Sequence, residues 1–332
     1  PTSWVVDAAI NEFSEVLMDK YGISKKEARS RVNRGGYQIY TTVDLEMQEY
    51  VEGRYQDMNN LLAGMATVKN TAHWRDLNGD GVASEDEAQF LQSGFCAINY
   101  SGEILATVGA IGEKTASLCT SYAYEPQQPG STIKPVTTYG YALSTDYIHW
   151  GTPLRDYPPI KNPATGKLWP TNYSSGGGMS YTGSMKNVYY ALQKSYNTIP
   201  ALLCKELGRI EIYNFATNNL GLELVQNDQD YAPLSVGALT YGVSITNLVN
   251  AYMVYGNGGY YSKAHIISKV ESGDGTLVYS GGTDYNQAVD EENSTVMNKL
   301  LQNVVKQGTA TAAKITASDG TKIPIAGKTG TT

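Results

Sequence analysis

Pro129-Gly130-Ser131-Thr132-Ile133-Lys134-Pro135 places a serine and a lysine three residues apart, with a proline directly after them. Residues three apart on a helix share a face, so the Lys134 amine is expected beside the Ser131 hydroxyl. A serine hydroxyl is a weak nucleophile at neutral pH. It needs a base within hydrogen-bond reach and donors for the oxyanion that its attack creates. Lys134 is the candidate base. Pro129-Gly130 reads as a tight turn into a helix start, where free backbone N–H groups and the helix dipole favour negative charge and supply half of an oxyanion hole. Pro135 falls near the first turn, where a missing donor costs least; in an α-helix the carbonyl it leaves unpaired is that of Ser131, four residues back. An ordinary exposed helix bearing a lysine is the competing reading of this stretch on its own.

Two later tripeptides change that balance: Ser195-Tyr196-Asn197, and Lys328-Thr329-Gly330 followed by Thr331-Thr332. A lysine serves as a base only if its ammonium is destabilised by desolvation or by a neighbouring cation, and Lys328 is a candidate for that second charge. The Ser195 hydroxyl can relay a proton between either lysine and a leaving amine, while the Asn197 amide can bond both Lys134 and a substrate carbonyl. Residues 323–332 read as an apolar strand running into glycine and hydroxyl residues. Such an edge strand can pair with an extended peptide, so Thr329, Gly330 and Thr331 are candidate substrate-binding positions. Lys328 and Thr329 would hold a terminal carboxylate, and the Thr331 N–H would complete the oxyanion hole. A bland strand and turn is the alternative.

Competing hydrolase designs fit poorly. The only histidines are His73, His149 and His265, and the candidate serine sits in Pro-Gly-Ser-Thr-Ile rather than in a G-x-S-x-G elbow. No H-E-x-x-H pair and no G-x-x-x-x-G-K-[ST] phosphate loop is present.

The order S-x-x-K, S-x-N, K-T-G resembles the active-site triplet of the penicillin-recognising serine enzymes. The flanks narrow this to the transpeptidase region of a class A, bifunctional penicillin-binding protein. Residues 35–48 resemble that family's linker. Phe95 to Gly109 resembles the first hairpin of its catalytic sheet, with Ser101-Gly102 as the turn. Gln127 to Pro135, Trp169-Pro170-Thr171-Asn172, Ser244 to Gly259 and Gly308-Thr309-Ala310 fall where the family carries similar strings. One departure is Ser117 to Ala123, which stands where the family often has an arginine-containing stretch.

The resemblance implies an α/β fold of the α+β type, an antiparallel sheet flanked by helices, with 1–58 as a linker region, 59–93 as a helical insertion and 94–332 as the transpeptidase domain. Related folds continue past K-T-G with two strands and a helix, so the sheet is expected to be C-terminally incomplete. The implied activity is D-alanyl-D-alanine transpeptidation of peptidoglycan stem peptides through an acyl-enzyme on Ser131, without a catalytic cofactor and with β-lactams as covalent inhibitors. Water as acceptor would make it a D,D-carboxypeptidase. A hydrolytic β-lactamase needs a deacylating carboxylate, and no E-x-x-L-N string follows Asn197. A non-catalytic sensor or wall-binding module that kept the fold is a further alternative.

Composition agrees with a catalytic ectodomain: 332 residues, 41% hydrophobic and 17% charged, are enough to bury a sizeable core. A net charge of −7 argues against nucleic acid as a partner. No run of about 18 apolar residues and no signal peptide is present; the resemblance implies an extracytoplasmic location through an N-terminal anchor outside this sequence. Cys96, Cys119 and Cys204 are an odd number without a C-x-x-C, which favours buried free thiols. Twenty-six tyrosines stand against four phenylalanines.

Val6, Ile10, Phe13 and Leu17 recur at helical spacing ahead of a charged stretch from Ser24 to Arg31, which together predict a helix pair; a further helix is expected between Asp44 and Met65. Residues 76–87 satisfy D-x-[DN]-x-[DN]-G-x5-E at every position. Oxygens for a structural Ca²⁺ would come from Asp76, Asn78, Asp80, the Val82 carbonyl, Ser84 directly or through water, and Glu87, with Gly81 at the sharp turn and Ser84 to Leu91 as an exiting helix. An Asp/Asn-rich surface turn without metal is the alternative.

Overall fold

The computed structural model describes residues 1–62, 73–74, 88–89, 91–161, 165–173 and 180–331. These residues form two compact units that interleave in the sequence. The first comprises Pro1–Asn99, Glu103–Glu125 and Ala264–Thr283, and the second comprises Tyr100–Gly102, Pro126–Lys263 and Asp284–Thr332.

In the first unit, the predicted helix pair is Trp4–Tyr21 and Lys25–Arg34. Ser3 and Ser24 accept from the backbone N–H groups of Val6 and Glu27 respectively, satisfying donors that each first turn leaves orphaned. Phe13 and Leu17 are fully buried, but Val6 is exposed and Trp4 is buried instead. The inward stripe is therefore rotated from the predicted one. Strand Gln38–Thr41 pairs antiparallel with Ile267–Glu271, which pairs with Leu277–Ser280. The Glu12 carboxylate accepts from the N–H groups of Ile266 and Ile267, and burial raises its pKa against the lowering effect of those bonds.

The expected hairpin is present, Phe95–Ile98 against Ile104–Val108. Gly102 lies in its connection at φ +85°, a conformation glycine adopts without strain. Helix Leu45–Arg54, capped by Asp44, packs on the hairpin. Its Gln48 amide donates to the Thr107 carbonyl and accepts from the Thr107 N–H, so one side chain serves the strand as an edge partner.

The second unit is mainly helical. Thr138–Ser144, Val188–Gln193, Thr198–Leu207, Ile245–Met253 and Glu291–Gln307 surround a core that includes Ile133, Leu192, Ile199, Leu203, Leu300 and Val304. Each such aliphatic side chain contributes roughly 1.5–3 kcal/mol on burial. Short antiparallel pairs decorate this core: Pro153–Arg155 with Met185–Asn187, Ile160–Lys161 with Leu168–Trp169, Tyr260–Ser262 with Tyr285–Gln287, and Ile315–Thr316 with Lys322–Ile323.

Three expectations are corrected. The strand predicted over 323–332 is regular only at Lys322–Ile323, because among the described residues no strand pairs with 324–331. The helix predicted over 84–91 is strand at Ala88–Gln89, which pairs with His73–Trp74; the proposed calcium ligands Asp76, Asn78, Asp80, Val82, Ser84 and Glu87 lie outside the described residues. Finally, Cys96 and Cys204 are buried as expected, whereas Cys119 is exposed.

Candidate active site

Ser131 and Lys134 lie on Gly130–Val136, a 3₁₀ rather than an α-helical segment. With three residues per turn, positions i and i+3 eclipse, so Ser131 and Lys134 project from the same side. The 3₁₀ geometry also corrects the consequence drawn for Pro135. Hydrogen bonds here run to i−3, so the missing donor leaves the Thr132 carbonyl, not that of Ser131, without its partner, and the Tyr252 hydroxyl donates to that carbonyl at 2.6 Å. Tyr255 serves the Pro135 carbonyl in the same way at 2.8 Å, and Thr137 bridges the Ile133 and Leu234 carbonyls. The segment is thus tied to the helical core by side chains.

Ser195 occupies the turn between helices Val188–Gln193 and Thr198–Leu207 with φ +57°, an uncommon left-handed conformation for a serine. This turn brings the second motif onto Lys134. Lys134 Nζ donates to the Ser195 carbonyl at 2.9 Å, the Tyr196 carbonyl at 3.1 Å and Asn197 Oδ1 at 2.7 Å, with Ser195 Oγ at 3.4 Å. Lys328 Nζ donates to the same Ser195 Oγ at 2.8 Å and to the Thr329 carbonyl at 2.9 Å. A hydroxyl therefore stands between two amines.

Lys134 is fully buried. Burial, and then the positive charge of Lys328, push its pKa well below the usual lysine value. Lys328 is itself lowered to about 8 by burial. The three carbonyl oxygens around Lys134 favour an ammonium, but desolvation and the like charge outweigh them, so the neutral amine is favoured relative to an ordinary lysine. None of the four acceptors of Lys134 is on Ser131, and Ser131 Oγ makes no hydrogen bond to a described residue. The candidate nucleophile and the candidate base are on one side of the segment but not bonded; catalytic hydrogen bonds are often long without substrate.

The K-T-G segment closes on the nucleophile turn through backbone rather than side chains. Gly130 has φ +52°, and a Cβ there would collide with the Thr331 carbonyl; a Cβ on Gly330 would press on the Pro129 carbonyl and the Thr132 methyl. Glycine at both positions allows the two chains to touch. The Thr329 hydroxyl shares a 2.6 Å hydrogen bond with that of Thr309, within the Gly308-Thr309-Ala310 string. A cavity of about 490 Å³ lies along this contact, lined by Gln128, Pro129, Thr132, Gly330 and Thr331 among others; its lining includes neither Ser131 nor either lysine.

Sequence reasoning missed Asp156 and gave Asn172 no role. Asp156 is fully buried and Asn172 nearly so. Burial alone would raise the Asp156 carboxyl, but donors from Thr198, Thr182 and Asn172 outweigh it and hold the pKa below the ordinary range.

A family model describing the penicillin binding protein transpeptidase domain matches residues 95–332. The chain belongs to this transpeptidase family. Among curated relatives, penicillin-binding protein 1A of Clostridium perfringens strain 13 is 27% identical over 337 aligned residues, covering 99% of this chain and 47% of the relative. The namesake from Neisseria cinerea is 30% identical over 291 residues, covering 83% of this chain and 34% of the relative. The chain thus spans less than half the length of these relatives. Solved structures share the transpeptidase fold at low identity. PonA1 of Mycobacterium tuberculosis superposes with TM-score 0.61 at 17% identity, covering 90% of this chain and 69% of that one. Penicillin-binding protein 1A of Haemophilus influenzae gives 0.62 at 17% identity, covering 92% and 60%.

Proposed function

We propose that this chain is a serine D-alanyl-D-alanine transpeptidase that crosslinks peptidoglycan stem peptides. The observation that carries the reading is the linked arrangement of Lys134, Ser195 and Lys328, in which one buried amine of depressed pKa shares a hydroxyl with a second amine. In the first step Ser131 Oγ bonds to the penultimate D-alanyl carbonyl carbon and its proton passes to Lys134. The C–N bond to the terminal D-alanine then breaks, and the leaving nitrogen takes a proton through Ser195. In the second step an acceptor amine attacks the Ser131 ester, an amide forms, and the serine recovers its proton. Lys328 and Thr329 would hold the terminal carboxylate, while the N–H groups of Ser131 and Thr331 would receive the oxyanion. β-Lactams would acylate the same serine and remain attached, a reading supported by the related PonA1 structure in complex with penicillin V.

The test is incubation with a peptide ending in D-alanyl-D-alanine and an amine acceptor, read by mass spectrometry. Transpeptidation predicts released D-alanine and a new amide to the acceptor in about equal amounts. Release without the new amide would make the chain a carboxypeptidase, and a folded protein that releases no D-alanine would sink both readings.

We assign the protein to the extracytoplasmic face of a bacterial membrane, where this substrate resides. Among the described residues no helix is long and apolar enough to cross a membrane. We further propose a structural Ca²⁺ held by Asp76, Asn78, Asp80, the Val82 carbonyl, Ser84 and Glu87. The sequence pattern carries this. Tb³⁺ titration should give sensitised luminescence with a Kd on the order of 10⁻⁴ to 10⁻³ M, lost in Asp80→Ala. A flat titration of the folded wild type removes the site.

A further inference from the structure

Asn197 must present its oxygen, not its nitrogen, to Lys134, and the chain of hydrogen bonds behind it shows what enforces that choice. Asn197 Nδ2 donates to the Thr171 carbonyl at 2.9 Å, leaving Oδ1 for Lys134. The Asn197 and Thr198 backbone N–H groups, at the start of helix Thr198–Leu207, donate to Asn172 Oδ1 at 2.8 and 3.2 Å. Asn172 thereby caps that helix from a distant part of the chain. Its own orientation is set in turn, since Nδ2 donates to Asp156 Oδ1 at 2.7 Å. The Asp156 carboxylate also accepts from Thr198 Oγ1 at 2.7 Å and from the Thr182 N–H and hydroxyl at 2.8 and 2.9 Å. It is a buried anion with no cation partner among the described residues, compensated wholly by oriented donors.

We infer that Asp156 and Asn172 are positioning residues that fix Asn197, and through it Lys134, for acylation of Ser131. The inference rests on the proposed acyl-enzyme reading and extends it to two residues outside the three motifs. The physical reason is polarity. A carboxylate only accepts, so it forces the Asn172 amide to point its NH₂ toward Asp156 and its oxygen toward the helix N–H groups. In Asp156→Asn that constraint is lost. An Asn172 amide that turns over places NH₂ against two N–H donors, and the Asn197 turn must shift. A displacement of about 1 Å in a reacting group can cost about 10²-fold in rate. In Asn172→Asp two carboxylates meet, with the same consequence. The pair Asp156→Asn with Asn172→Asp restores the alternation, because the amide now at position 156 can donate to the carboxylate now at position 172. That carboxylate can in turn accept from the helix N–H groups and from Thr198 Oγ1, which already lies 3.3 Å from Asn172 Oδ1.

The experiment follows acylation of the full chain by a fluorescent penicillin, separating the dissociation constant of the non-covalent complex from the acylation rate at saturation, with thermal unfolding of every variant. The expected result is a roughly 10- to 100-fold slower acylation in each single variant, with the dissociation constant changed by less than about threefold, and recovery to within about threefold of wild type in the double variant. Folded single variants that acylate at the wild-type rate overturn the inference, as does a folded double variant no faster than the singles. If a single variant does not fold, the double variant decides: folded and fast supports the inference, folded and slow or unfolded overturns it. A wild type that never labels overturns the acyl-enzyme reading itself, and this inference with it.

Discussion

Ser131→Ala is expected to abolish covalent labelling by a fluorescent penicillin, a loss on the order of 10⁶-fold in acylation, the scale seen when a serine nucleophile is removed from a preorganised site. The substitution is small enough to isolate the chemistry. Ser131 is half-buried and its hydroxyl makes no hydrogen bond to a described residue, so the change leaves no partner stranded and should alter stability by no more than about 0.5 kcal/mol. Lys134, Ser195 and Lys328 keep their mutual bonds, none of which passes through Ser131. Unfolding temperature should therefore hold while the label disappears from a denaturing gel. Label that persists in Ser131→Ala would place the nucleophile elsewhere. Ser195, whose hydroxyl accepts from both amines of this site, would then be the residue to replace.

What the sequence shows of this site is its chemistry, and what it hides is its geometry. The three motifs name candidate side chains because a base, a relay and a second cation have few residue types to be drawn from. They do not show that Ser195 sits at φ +57°, which follows from the packing of two helices whose ends the tripeptide merely joins. Nor does Ser-x-x-Lys distinguish an α-turn from a 3₁₀-turn; both place the pair on one side, and the backbone bonding of the segment tells them apart. The excess of tyrosine had no reading in the sequence, and part of it becomes intelligible here. At 252 and 255 a phenylalanine would fill the same volume but leave the Thr132 and Pro135 carbonyls without donors, at a cost of about 1–3 kcal/mol each.

Helix starts are encoded more locally than strand pairings. Ser3, Ser24, Asp44 and Asp290 each accept from a backbone N–H two or three residues into the first turn, a local interaction that a local pattern can encode. Strand pairing is non-local: Gln38–Thr41 finds its partner beyond residue 260, and residues 324–331 have none among the described residues, so an apolar run there does not suffice to make a strand. Asp156 was invisible for the same reason. Its four donors come from 172, 182 and 198, and nothing within a few positions of it signals a buried carboxylate.

Replacing Lys134 by Met is expected to slow penicillin acylation by roughly 10² to 10⁴-fold, the range for loss of a positioned general base. Methionine keeps the length of the side chain and removes the charge, so two effects on stability oppose one another. The cost of desolvating an amine at a fully buried position is relieved, while the Ser195 and Tyr196 carbonyls and Asn197 Oδ1 lose a donor. The pH dependence separates the base from a structural role. The proposed mechanism makes the neutral amine the active form, so wild-type acylation should rise with pH through the depressed pKa of Lys134 and level off above it. Lys134→Met should have a low rate without that limb. Lys328→Met shifts the limb in a set direction: after burial, the Lys328 cation lowers the Lys134 pKa, so its removal raises that pKa and moves the rising limb to higher pH, whatever it does to the plateau. A limb that stays in place, or moves to lower pH, would show that Lys328 does not act through its charge on Lys134; a limb that survives in Lys134→Met would remove Lys134 as the base.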